Sequence, residues 1–351
     1  MHHGPDMPEA HYDEVAVTGG AGFVGRHLVT ALSLLSQKVT VVDHAPLPPD
    51  LAALPGVSYV RADLRDYGET LLALRHADAV FHLAGNASGT ESVADPRHDF
   101  HVNALGTCNV GNACLELGVR RLVYLSSAIV YGTPRHSPIR EDHPTGPFLP
   151  YGASKLSGEL TLRSLHAAAG LSVVIGRSFV VYGPGEDPRR AGGEVSQFLR
   201  WHLNEQPIPV VGDIDRKRRD FIHVEDLCRA LMVLAERGTD GETYNLGTGT
   251  AVSMRELADA VGAATGRPAL LDADASSLAD SFTLLADVTR LRGLGFTPRV
   301  SLAEGLSALA GLLGPFPEVP SAKAVFRRET PPRRGLTLAA AVGAGEEAGT
   351  C

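Results

Sequence analysis

Tyr151 and Lys155 stand four residues apart in Tyr151-Gly152-Ala153-Ser154-Lys155, and on a helix that spacing puts both side chains on one face. A free phenol titrates near 10, and a neighbouring cation favours its charged form, so the two residue types together suit proton transfer. Alone, the spacing is that of any amphipathic helix. Its setting says more. Ser126-Ser127-Ala128-Ile129-Val130-Tyr131-Gly132 closes an apolar run upstream, and a glycine-rich turn lies far upstream of that. At the carboxyl edge of an open sheet, where such sheets bind ligands, one hydroxyl of the serine pair can touch a substrate.

The elements that must position these residues follow from the apolar pattern. Glu14 to Thr18 is a short apolar run entering Gly19-Gly20-Ala21-Gly22-Phe23-Val24-Gly25, after which Arg26 to Ser36 carry helical spacing. This reads as strand, glycine turn and helix. Gly19 permits the tight turn, Gly22 lets the backbone approach a pyrophosphate, and Gly25 lets the helix pack on the strand; amide groups at the helix start then hold phosphates. A second strand, Lys38 to Val42, ends in Asp43, where a carboxylate accepts hydrogen bonds from an adenosine ribose and repels a 2′-phosphate. No Arg or Lys follows until Arg61, which favours NAD over NADP.

Further runs at Val57–Ala62, Ala79–Gly85, Arg121–Leu125 and Leu171–Gly176 are nearly continuous in apolar residues, the pattern of parallel strands covered on both faces. His82 lies inside one of them and reads as a satisfied core histidine. The small residues after Asn103 suit a helix lying close to the sheet. Beyond about residue 180 the elements shorten. Arg219 to Asp226 leads into an apolar helix ending near Gly238, Tyr244 to Gly249 is a short strand and turn, and Ser253-Met254-Arg255-Glu256 is a capping box.

Composition narrows the function classes. The chain has 351 residues, 44% hydrophobic and 21% charged, which suits a folded globular protein large enough for two domains. A net charge of -8 with scattered basic residues argues against a nucleic-acid face. Cys108, Cys114, Cys228 and Cys351 form no metal or disulfide pattern, and a cytoplasmic protein without membrane segments is expected.

The motifs together resemble the extended short-chain dehydrogenase/reductase superfamily, in its NAD-dependent epimerase/dehydratase branch, from about Val15 to Leu313. The matching residues are Thr18 to Gly25, Asp43, Asp63-Leu64, His82-Leu83-Ala84, Asn103 with Gly106-Thr107, Ser127, Tyr151 with Lys155, Tyr182-Gly183-Pro184, Arg219 to Val224, and Asn245-Leu246-Gly247. The resemblance implies an α/β fold: a doubly wound Rossmann sheet with a smaller C-terminal α/β domain that closes over substrate. With the apolar pattern, which loosens near residue 180 and dissolves from about Pro315, it divides the chain into a flexible N-terminus (1–13), an NAD-binding part (14–180), a mainly substrate-binding part (181–314) and a disordered tail (315–351). It assigns NAD contacts to Gly19, Gly22, Phe23, Val24, Gly25, Asp43, Asp63 and Leu64, then to Leu83, Ala84, Asn103, Tyr151, Lys155 and Ser178. Ser127, Tyr151 and Lys155 are the implied catalytic set. Ser127, Tyr151 and Arg219 are the implied substrate contacts, and no metal is implied.

In that reading Lys155 and the oxidised nicotinamide lower the Tyr151 pKa, and Ser127 orients the substrate hydroxyl. Related 4,6-dehydratases hold Asp and Glu where this chain has Ala128 and Ile129, so the serine loop looks most like that of UDP-glucose 4-epimerase-type enzymes. A nucleotide-sugar 4-epimerase is therefore expected. Two positions depart from the pattern: Val180 stands where nucleotide-sugar members carry Asn, and Ser277 where they carry Arg. A net NAD-dependent dehydrogenase on another alcohol or ketone remains open, as does a non-catalytic NAD sensor. A homodimer is implied by resemblance only.

Overall fold

The computed structural model describes residues 12–187, 193–274 and 281–319. Residues 1–11, Ser277 and residues 320–351, to which the flexible start, the replaced arginine and most of the disordered tail were assigned, lie outside them.

A seven-stranded parallel sheet organises the chain. Its first six strands are β1 (Glu14–Thr18), β2 (Lys38–Asp43), β3 (Val57–Arg61), β4 (Ala79–His82), β5 (Arg121–Ser127) and β6 (Val173–Ser178). Next in the chain come β7 (Val180–Tyr182), β8 (Ile208–Val211), β9 (Arg218–Arg219), β10 (Phe221–His223) and β11 (Thr243–Leu246). The sheet order is β11-β6-β5-β4-β1-β2-β3, with every pairing parallel. The seventh strand comes from beyond residue 180, where the two halves were expected to divide, so the chain re-enters the sheet after leaving it.

Alternation decides which face each side chain covers. Val15 and Val17 face the helices Phe23–Leu32 and Val224–Arg237, while Ala16 packs with Val110, Ala113 and Leu162 from the opposite layer. Both faces are covered, which is why apolar residues dominate the middles of the strands and polar ones gather mostly at their ends. The direction of winding reverses between β1 and β4, and a crevice opens at their carboxyl ends.

The rest of the described chain has its own core around Val195, Phe198, Leu199, Ile208, Phe221, Met254, Leu257 and Leu306. Short strands serve it: β7 pairs with β10, and β9 lies between β12 (Val252–Ser253) and β14 (Thr283–Leu284). The capping box at Ser253 and Glu256 is formed, and a second one opens the helix Leu302–Leu313 at Ser301 and Glu304. Among the described residues no helix is long and apolar enough to cross a membrane.

Candidate active site

The glycine turn occupies the crevice. Gly19 has φ +70°, and a Cβ there would stand 2.7 Å from the Ala84 backbone. A Cβ on Gly25 would stand 2.1 Å from the Gly19 carbonyl oxygen. Neither position tolerates a side chain. Leu83 donates its amide to Thr18 O at 3.1 Å, and Ala84 donates to Thr18 Oγ1 at 3.3 Å. The first continues the parallel ladder from the Thr18–His82 pair, and with the second it holds Leu83 and Ala84 against the turn; β4 ends at His82 rather than at Gly85. The helix Phe23–Leu32 starts at Gly22 with no side-chain cap and no acidic residue in its first turn. Its first amide groups, Phe23 and Val24 among them, are therefore left for an anion.

Asp43 closes β2 against the same turn. One carboxylate oxygen accepts from Ala21 N at 3.1 Å and the other from Ala45 N at 3.0 Å. The donor set and the bare helix start fit a dinucleotide with an unphosphorylated ribose. Asp63 and Leu64 follow β3. The Asp63 carboxylate is clasped by Arg65 Nε at 2.9 and 3.0 Å, which holds it below the usual carboxylate range; Leu64 O accepts from Asn109 Nδ2 at 2.8 Å.

Pro150 in the first turn sets the backbone of the helix Pro150–Ala169, which presents Tyr151 and Lys155 to the end of β5. Lys155 is 5% exposed. Its Nζ donates to Leu125 O at 2.9 Å and lies 4.9 Å from the centre of the Tyr124 ring. Burial pulls its pKa down to about 8, with the charges of Asp99 and Glu159 acting in the opposite direction. Tyr151 is half-buried. Within the chain alone burial raises the Tyr151 phenol, a hydrogen bond from Ser127 opposes this, and Asp99 adds to the rise. Ser127 ends β5, and its register partner on β6 is Ser178, whose Oγ donates to Ser126 O at 3.2 Å. The structure thus gathers Ser127, Tyr151, Lys155 and Ser178 beside the crevice.

Asn103 takes a different part. It is fully buried in a π-helical turn, His101–Leu105, and its carboxamide is engaged with Asn86, Asp99 and Ser154. It braces the walls of the site. His82 is a satisfied core residue, bonded to Thr18 Oγ1 at 2.7 Å and Thr107 Oγ1 at 2.9 Å. Burial pulls its pKa to about 3.

Sequence reasoning missed a buried ion pair beneath the site. Glu159 accepts from Ser126 Oγ at 2.5 Å and pairs with Arg177 at 2.6 Å, tying the Tyr151 helix to β5 and β6. The stride 151, 155, 159 was its signal. Asp99, four residues before Asn103, was missed in the same way.

Arg219 is remote from that cluster in its contacts. It is 5% exposed and pairs with Glu194 at 3.3 Å, while Nη1 donates to Phe282 O at 2.8 Å. Its guanidinium also lies 4.9 Å from the centre of the Phe282 ring, which meets Phe148 edge-on from the loop before Tyr151. Val180 pairs with Phe221 and brings no polar side chain.

Residues 15–247 match the NAD dependent epimerase/dehydratase family. The chain is 35% identical over 299 residues to a UDP-glucose 4-epimerase of Mycolicibacterium smegmatis, covering 83% of this chain and 95% of that protein. It is 33% identical over 315 residues to a dTDP-glucose 4,6-dehydratase of Actinoplanes, covering 84% and 95%. Among solved structures, the UDP-glucose 4-epimerase of Thermus thermophilus in complex with NAD superposes with a TM-score of 0.74 at 32% identity, covering 85% of this chain and 98% of that one.

Proposed function

The chain belongs to the NAD-dependent epimerase/dehydratase family, and on that premise we propose that it is a nucleotide-sugar epimerase that inverts carbon 4 by transient oxidation, with Tyr151 as the base. Bound NAD would supply the acceptor and donor of the hydride, and a positive charge beside the phenol. The chain's own residues do the rest. The turn at Gly19, Gly22 and Gly25 and the amides of Phe23 and Val24 hold the diphosphate, and Asp43 holds the adenosine ribose. Lys155 holds the nicotinamide ribose, Ser127 orients the sugar hydroxyl, and Tyr151 takes its proton and later returns it.

One observation carries this reading over the dehydratase activity named for other relatives. The 3-10 turn Ala128–Tyr131 that follows Ser127 offers only the methyl of Ala128 and the alkyl chain of Ile129 where elimination needs an acid and a base. A homodimer through the Tyr151 helix rests on the family resemblance alone. A second reading, net oxidation of a non-nucleotide alcohol, is favoured by the pairing of Arg219 with Glu194 and by the apolar Val180.

Incubation with UDP-, GDP- and dTDP-sugars, following product stereochemistry and NADH together, tests both. Inversion without NADH supports the epimerase. Stoichiometric NADH transfers the case to the dehydrogenase, and a panel without either product rules out nucleotide sugars.

A further inference from the structure

We infer that Asp99 is a buried counter-charge to the Tyr151–Lys155 pair, a positioning residue that keeps Lys155 an ammonium from within a cradle formed by Asn86, Asn103 and Ser154. The inference rests on the reading of Tyr151 and Lys155 as the working pair, and it concerns how that pair is held.

Asp99 lies on the short helix Pro96–Phe100 and is 0% exposed. Its Oδ1 receives Asn86 Nδ2 at 2.9 Å and Asn103 Nδ2 at 3.1 Å, and its Oδ2 receives Ser154 Oγ at 2.5 Å. The orientation of both amides is fixed from their far ends. Asn103 Oδ1 accepts from Asn86 N at 2.8 Å, and Asn86 Oδ1 accepts from Ser88 N at 3.0 Å. Each must therefore turn its NH₂ toward Asp99. The two amide NH₂ groups can only donate to Oδ1, and the short Ser154 bond has the length of a hydroxyl on a charged oxygen.

Ser154 sits between Tyr151 and Lys155 in the chain, and its Oγ also lies 2.9 Å from Tyr151 O. A Cβ built on Gly85 would stand 2.6 Å from Asn103 Oδ1 and 3.4 Å from Lys155 Nζ, so one side of the cradle and the Lys155 Nζ both lie against Gly85. The other groups facing Lys155 are Tyr124 from β5, His82 from β4, and Tyr151 and Glu159 from its own helix. His82 is neutral, and Glu159 is already matched by Arg177 at 2.6 Å. That leaves Asp99, whose hydrogen-bonding partners here are neutral, as the unmatched anion. The direction of its effect on Lys155 agrees, since its charge is the largest influence opposing burial.

Lysine-selective ¹³Cε NMR reads this without turnover. The chain has only four lysines, and loss of a signal in Lys155→Arg assigns the one needed. In Asp99→Asn and Asp99→Ser the Lys155 midpoint should fall by about one pH unit or more. In Ser154→Ala, which keeps the charge, it should stay close to the parent value. An unmoved midpoint in a folded Asp99 variant overturns the inference. So does a protonated Asp99 ¹³Cγ signal at neutral pH in the unaltered chain, which needs no variant to fold. Turnover adds an independent check. Because Asp99 raises both Lys155 and Tyr151, its neutralisation should move both limbs of the pH–rate profile to lower pH, whereas a purely structural loss lowers the profile without moving it. A shifted lysine in a protein that inverts no sugar would leave the inference standing and refute the proposed activity.

Discussion

At the carboxyl edge of the large sheet the groups that face a dinucleotide are mostly backbone: uncapped amides at Phe23 and Val24, and a turn in which Gly19 and Gly25 admit no Cβ. In the second half the corresponding groups are side chains already paired with one another, Arg219 with Glu194 and Arg218 with Glu256. The first region is built before its ligand arrives. The second must exchange partners to receive one. A cofactor held through the whole catalytic cycle suits the first arrangement, and a substrate that enters and leaves suits the second.

Tyr151→Phe tests the contrast most severely, because it removes one oxygen where the two regions meet. Turnover should fall by about 10²- to 10⁴-fold, while NAD affinity, held by the backbone, should stay within about threefold by titration calorimetry. An equal loss of NAD binding would mean that the two regions are not separable. Full retention of activity would remove Tyr151 as the base and leave the non-catalytic sensor as the reading to pursue.

The same contrast explains what the sequence revealed. Gly19 and Gly25 were legible because the turn leaves no room there for a Cβ, and Asp43 because it ends the second strand beside that turn. The strands were legible because burial on both faces keeps their middles mainly apolar. The π-helical turn around Asn103 carried no such signal, and neither did the bonds of its amide to Asn86, Asp99 and Ser154. Arg177 was unreadable as a core residue, for an arginine at a strand end ordinarily faces water; it is 2% exposed because Glu159, far away in sequence, neutralises it. The burial that raises the Tyr151 phenol in the chain alone carried no signal either, since it depends on the packing around the ring and not on the Lys155 spacing.

Asp43→Ala should have the next largest effect. It removes the acceptor expected to meet the adenosine ribose, and loss of a charge-assisted hydrogen bond costs about 1.5–3 kcal/mol, or roughly 10- to 100-fold in NAD affinity. Sugar-nucleotide affinity measured on the same sample should not move. An unchanged NAD affinity would show that the carboxylate serves only Ala21 and Ala45, and that the turn alone holds the dinucleotide.

Glu194→Gln should act in the opposite direction and least. The pair with Arg219 is largely buried, at 17% and 6% side-chain exposure, and removing one partner of such a pair destabilises a protein even as it frees the other. Melting temperature should therefore fall. If Arg219 meets the diphosphate of the substrate, the freed guanidinium should bind UDP about three- to tenfold more tightly, a gain of roughly 1 kcal/mol, because the carboxylate no longer competes. Stability and affinity would then move apart in a single variant, the signature of a charge held in reserve by its partner. If UDP affinity falls along with stability, Arg219 is an internal brace, the substrate half offers no diphosphate site through it, and the dehydrogenase on a non-nucleotide alcohol becomes the better reading.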